Sequence, residues 1–236
     1  MSMYVTGDTH GYLDIKKIEV FSSNLKENDY LFIAGDFGLP FTTKEVNRYK
    51  KKLGDYSYWI RWMAELPCKI LFVDGNHDNH DWWALQKVTE MYGGKVQIHP
   101  HAANVIHLMR GQVYTIEGIK FFIMGGADSI DKAWRIEGVS WWRQEMPSKE
   151  EMDLAIENLE KHNFTVDYII THTCGSSLLC KFYSHHHKTD SLTNFFDYLE
   201  IDLKLNFKHW YFGHHHRDIK IDSKHTCVYQ NILTIE

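Results

Sequence analysis

The sequence predicts an α/β fold in which two β-sheets pack face to face with helices outside. Three observations predict it. Short apolar runs rich in β-formers recur along the chain, each stopping at Gly or a polar turn. In the first half, stretches with apolar residues every three or four positions separate these runs. From Val96 to Gly126 the reading turns to β, and the tail reads as antiparallel. No repeat, linker or low-complexity stretch divides the 236 residues, so one domain over residues 1–236 is expected.

Residues 3–7 read as the first strand. In 12–25, Ile15, Ile18 and Phe21 make a helical stripe that lays the segment on a sheet. Asn28-Asp29 turns the chain into a strand at 30–35. A long helical region is expected over 43–66, where Val46, Tyr49, Leu53, Tyr56, Ile60 and Met63 recur at helical spacing; Gly54-Asp55 splits it and Pro67 ends it. Lys69-Ile70-Leu71-Phe72-Val73 is a buried strand. A short helix over 82–91 is expected to end at Gly93-Gly94. Val105-Ile106-His107-Leu108 is a strand, and Glu117-Gly118 joins the strands 112–116 and 119–124 as a hairpin. Residues 126–147 show no periodicity and read as an insertion over the site. Ser148 with Glu151 forms a capping box for a helix ending near His162. A strand at 167–171, a helix at 190–203 and β segments at 209–213, 218–222, 225–230 and 231–235 complete the chain.

Five of these strands run into residues that carry chemistry. Val5-Thr6 leads to Gly7-Asp8-Thr9-His10-Gly11, and Ile33-Ala34 to Gly35-Asp36. Phe72-Val73 leads to Asp74-Gly75-Asn76-His77-Asp78, Ile169-Ile170 to Thr171-His172, and Tyr211-Phe212 to Gly213-His214-His215-His216. Ligands on successive strand ends can converge on one rim of a sheet, where open α/β folds place their sites. The ordered set D-x-H, GD, GNH[DE], a His after a strand, and G-H-x-H resembles the calcineurin-like metallophosphoesterase superfamily. It spans residues 8 to 216. The resemblance implies a four-layer α/β/β/α sandwich with two packed, mostly mixed sheets. It also implies a metal-dependent hydrolase acting on phosphate mono- or diesters by attack of a metal-bridging hydroxide.

The candidate ligands are Asp8, His10, Asp36, Asn76, His172, His214 and His216. This oxygen-and-nitrogen set suits manganese, iron, zinc or similar divalent ions and disfavours thiolate sites. One tetrahedral ion does not need seven ligands; two ions roughly 3.5–4 Å apart use them. Asp36 is the expected bridge, since a carboxylate has two oxygens. The resemblance implies that Asp8, His10, Asp36 and His216 hold one ion, and that Asp36, Asn76, His172 and His214 hold the other. In an extended segment residues two apart point the same way, which pairs Asp8 with His10 and His214 with His216 and turns Thr9 and His215 elsewhere. By resemblance His77 protonates the leaving group, with Asp78 expected to bond its other ring nitrogen and fix the tautomer.

The chain departs from the superfamily's protein serine/threonine phosphatases, which carry Arg after GD and around GNH. Here Phe37-Gly38-Leu39-Pro40 and Asn79-His80 stand at those places. That weakens the phosphoprotein-phosphatase reading. Arg135 and Arg143 on the insertion either clamp phosphate or lie on an exposed loop. The tryptophans beside them either stack on a base or pack the insertion down; packing is the expectation. His185-His186-His187 reads as a solvated loop, with an adventitious metal patch as the alternative; the remaining histidines show no ligand pairing, and Cys174 reads as a buried inert thiol.

Composition sets the outer bounds. Hydrophobic residues at 44% suffice for a sizeable core. No apolar run reaches membrane-spanning length, and the first strand begins at once, so a cytoplasmic protein without a signal peptide is expected. Cys68, Cys174, Cys180 and Cys227 lack CxxC spacing, which argues against a zinc ribbon and for reduced thiols. The net charge of −5 offers no global basic field, so a small phosphoester is favoured over nucleic acid. A nuclease with the same metal site is the alternative. A non-catalytic scaffold is disfavoured because no ligand is missing and His77 is present. Oligomeric state is not legible.

Overall fold

A computed structural model describes residues 1–41, 56–183 and 189–236. The first sheet contains β1 (Met3–Thr6), β2 (Tyr30–Ala34), β3 (Lys69–Val73), β4 (Val88–Met91), β5 (Gly94–His99) and β6 (Ala102–Leu108). The second contains β7 (Gln112–Ile116), β8 (Ile119–Met124), β9 (Tyr168–Thr171), β10 (His209–Phe212), β11 (Ile219–Lys220) and β12 (His225–Cys227). The last strand, β13 (Leu233–Thr234), returns to the first sheet. The orders are β13-β1-β2-β3-β6-β5-β4 and β11-β12-β10-β9-β8-β7. Both sheets are mixed. β1, β2, β3 and β6 run parallel, as do β8, β9, β10 and β12.

Side-chain alternation along the strands builds four layers. In β2, Phe32 faces the second sheet, where it stacks on Phe121 at 4.8 Å. Its neighbours Leu31 and Ile33 face outward onto Ile15, Ile18, Ile60 and Met63. These come from the helical side, around α1 (Lys16–Phe21) and α2 (Tyr56–Ala64). In β8, Phe121 and Ile123 point inward while Phe122 and Met124 point outward. The outward pair packs with residues of α4 (Lys149–Lys161), α5 (Ser176–Phe182) and α6 (Ser191–Asp197); α3 (His80–Ala84) sits beyond β3. Each fully buried Leu, Ile or Phe contributes about 1.5–3 kcal/mol over leaving it exposed. The result is the α/β/β/α sandwich.

Several expected elements differ. The segment 82–91 is mostly not helix. Asn79 accepts from the Trp82 amide at 2.9 Å and starts α3, but Val88 to Met91 pair with β5 instead. Tyr92 and Gly93, with φ of 58° and 83°, form the tight turn between these strands. The tail is not antiparallel throughout: helices α5 and α6 carry the chain across, so β10 lies parallel to β9. Helix α5 has no side-chain cap at Gly175, so the usual start signal was missing. Of the long helix expected over 43–66, residues 56–66 are described and Tyr56–Ala64 of them are helical; Gly54-Asp55 and His185, His186 and His187 lie outside the described residues. Ser148 and Glu151 do form the capping box of α4. Among the described residues no helix is long and apolar enough to cross a membrane.

Candidate metal centre

The strand registers bring the motif loops together. Thr6 pairs with Ile33, Ala34 with Val73 and Phe212 with Thr171. The C-terminal ends of β1, β2 and β3 therefore lie side by side, facing those of β9 and β10. Gly35 and Gly75 make the close approach possible. A Cβ on Gly35 would stand 1.9 Å from His172 Nδ1, and one on Gly75 would stand 2.1 Å from Asp36 Oδ1. No other residue fits either place.

Asp8, Asp36 and His172 are buried. Asp36 Oδ2 lies 3.3 Å from His10 Nε2, and Oδ1 lies 3.3 Å from His172 Nε2. His216 Nε2 lies 3.1 Å from Asp8 Oδ2, yet that oxygen accepts no well-aligned hydrogen bond. Donor atoms of Asp8, His10 and His216, and of Asp8, Asp36 and His172, fall within 4.8 Å of one another. Asn76 Oδ1 is 3.0 Å from His172 Nε2, and the His214 ring is 5.0 Å from that of His172. The structure thus brings the seven expected residues to one rim.

The electrostatics are those of a cation site. Burial alone would push the His10 and His172 pKa values down. The Asp36 and Asp8 carboxylates override it and raise them to about 9 and about 10. Burial would likewise raise Asp36, but His172 and His10 hold it well below the usual carboxylate range. Two buried carboxylates thus draw positive charge, which divalent ions would supply in place of protons. An orphaned carboxylate oxygen with an all O/N donor set fits such ions.

Neighbours fix the ring orientations. His10 Nδ1 meets Asp14 Oδ2 at 2.8 Å, and His172 Nδ1 donates to the Ala34 carbonyl at 2.9 Å, leaving each Nε2 toward the centre. Thr9 and His215 point away: Thr9 Oγ1 donates to the Phe37 carbonyl, and His215 meets Thr173 and Tyr183. The expected extended geometry is not what does this. His10, His214 and His216 all have positive φ, so the motif segments are turns.

Asp78 does not bond His77. It is fully buried and accepts from the amides of Gly38 at 2.7 Å, Gly75 at 2.7 Å and Phe37 at 3.3 Å. Buried N–H groups at the two loop turns need an acceptor, and this carboxylate supplies it. Burial, then Asp36, pushes its pKa up to about 7. The partner of His77 is Arg135, whose Nη1 and Nη2 lie 3.1 Å from its Nδ1 and Nε2. Burial lowers the His77 pKa; Asp36 pulls against it, and Arg135, His10 and His172 keep it below its ordinary value. Asp131 and the Ser140 carbonyl steady Arg135. Arg143 stays on the surface, 77% exposed and paired with Glu137. Trp142 packs the insertion down, as expected, but Trp134 is 90% exposed. Cys174 is buried, which pushes its thiol well up.

Sequence reasoning missed Asp14, Lys17, Ser129 and Glu145. Lys17 Nζ donates to the carbonyls of Gly7, Asp8 and Tyr229 and ties down the first loop. Only Asp14, four residues after His10, left a spacing signal.

A two-sheet sandwich with a clustered Asp/His/Asn rim defines a metal-dependent hydrolase. The chain belongs to the calcineurin-like phosphoesterase family, whose model matches residues 1–218. It is accordingly a hydrolase of phosphoester bonds with a dinuclear divalent metal centre. Its fold is similar to the crystal structure of phosphopantetheinyl hydrolase from Mycobacterium tuberculosis, with a TM-score of 0.50 and 15% identity. That likeness covers 97% of this chain and 89% of the other. A search of curated proteins finds no match.

Proposed function

We propose that this centre cleaves small phosphate mono- or diesters, with Asp8, His10, Asp36 and His216 at one ion and Asp36, Asn76, His172 and His214 at the other. The observation that carries the reading is Asp36, whose two oxygens face His10 and His172 at equal distance. One carboxylate stands between two ligand sets. Manganese, iron and zinc all suit the donors. Held there, two ions supply an acidified water and screen the phosphoryl charge.

The chain's own residues do the rest. Arg135 carries only donors, and at one His77 nitrogen it meets a lone pair. A phosphoryl oxygen is a stronger partner for guanidinium than a neutral imidazole. Substrate therefore draws Arg135 onto the phosphate and frees His77 to hold a proton. His77 then gives that proton to the departing oxygen. Trp134, next to Arg135 and exposed, offers a ring face to the organic part of the ester. Asp78 joins the second and third motif loops rather than serving the proton transfer.

A panel of phosphomonoesters, phosphodiesters, cyclic nucleotides and oligonucleotides tests the reading. Metal-dependent turnover of small esters is the expected result. Turnover confined to oligonucleotides would favour the nuclease.

A further inference from the structure

A directed line of hydrogen bonds runs from the insertion to Asn76. Glu145 is fully buried. Its Oε1 accepts from the Ser129 amide and from Lys132 Nζ, both at 2.9 Å. Its Oε2 lies 2.6 Å from Ser129 Oγ. A carboxylate only accepts, so the Ser129 hydroxyl proton points to Glu145. That leaves the Ser129 lone pairs facing Asn76, 3.0 Å away. The Asn76 atom that meets them must be the Nδ2 donor, and Oδ1 is thereby turned toward His172 and the centre.

The direction matters because the two ends of an amide are alike in shape and opposite in role. The oxygen can bind a cation and the NH₂ cannot. A buried Asn without a director fits either way round. We propose that Ser129 and Glu145 are positioning residues that fix the Asn76 carbonyl oxygen on the second ion. This rests on the ligand set proposed above. The same clasp closes the insertion, because Ser129 and Glu145 are 16 residues apart and Arg135 lies between them. Phosphate recognition and metal-ligand orientation thus hang on one buried carboxylate.

Chelator-driven release of manganese from the loaded full-length protein tests this, with retained metal counted by elemental analysis and folding followed by melting temperature. Asn76→Ala is the control that marks the second ion. Ser129→Ala should release that ion at a roughly 10–100-fold lower chelator concentration, the usual effect of losing such a partner. The other ion should stay as in the unaltered protein. Glu145→Gln, nearly identical in shape, should weaken the same ion, because its amide can donate to Ser129 and reverse the line. In an Asn76→Asp background, where both oxygens are equivalent, Ser129→Ala should lose most of its effect. Unchanged release in both Ser129→Ala and Glu145→Gln, or equal weakening of the two ions, would overturn the proposal. If Asn76→Ala released neither ion, the ligand assignment itself would fall, and the positioning role with it.

Discussion

The Arg135 guanidinium lies against the His77 ring, with Nη1–Nδ1 and Nη2–Nε2 both at 3.1 Å. Of the two arginines that the insertion offers, only Arg135 reaches the centre. The residue it meets is the expected proton donor.

Arg135→Ala should therefore lower kcat/KM without loss of metal. A charge-assisted hydrogen bond contributes about 1.5–3 kcal/mol, which corresponds to roughly 10–150-fold. Arg143→Ala should change nothing, since Arg143 is spent on Glu137 at the surface. Steady-state kinetics on the best small ester decide it. Unchanged kinetics in Arg135→Ala would remove the phosphate clamp.

His77 should show its role through the leaving group. An alkoxide needs a proton as it departs, whereas a nitrophenolate scarcely does. His77→Ala should cost on the order of 10²–10⁴ with an alkyl ester and much less with a p-nitrophenyl ester, at saturating metal. His172→Ala should harm both substrates alike. Equal losses on both esters in His77→Ala, with metal intact, would instead make His77 a group that orders the metal loop.

Asp74 carries a stability prediction. Burial opposes its charge, but Arg110 and His107 hold its pKa well below the ordinary carboxylate range. The folded protein thus binds this proton more weakly than the unfolded chain. The stabilisation is present above the unfolded pKa of about 4 and is lost as pH falls below it. Asp74→Asn leaves the buried Arg110 charge with only the half-exposed Glu151 carboxylate at 3.3 Å and should cost about 3–5 kcal/mol near neutral pH. The gap to the unaltered protein should close in acid. Denaturant melts across pH measure it; a gap constant with pH would show that the charge is not what stabilises.

The sequence was most legible where local chemistry and long-range order agree. Gly35-Asp36 and Gly75-Asn76 follow strands whose β-formers leave little choice, so the position of each loop could be read, and the Asp36 and Asn76 side chains do reach the shared rim. Glu117-Gly118 likewise adopts the positive φ pair, 52° and 81°, that its dipeptide demands. What could not be read depends on contacts far apart in the chain. Asp78 neighbours His77 in sequence, yet its carboxylate turns to amides at Phe37 and Gly38. Glu145 sits in an aperiodic stretch, and only the folded insertion brings it to Ser129 and Asn76. Val88 to Met91 became a strand because an edge of β5 was there to pair with.

The metal content of the Asp36→Asn variant tests the central claim most directly. The unaltered protein should hold close to two divalent ions per chain. Asp36→Asn offers one oxygen where the carboxylate offers two, so both ions should bind more weakly and be lost together on dialysis. Elemental analysis finding a single ion in the unaltered protein, or two ions bound as tightly in Asp36→Asn, would contradict the dinuclear centre.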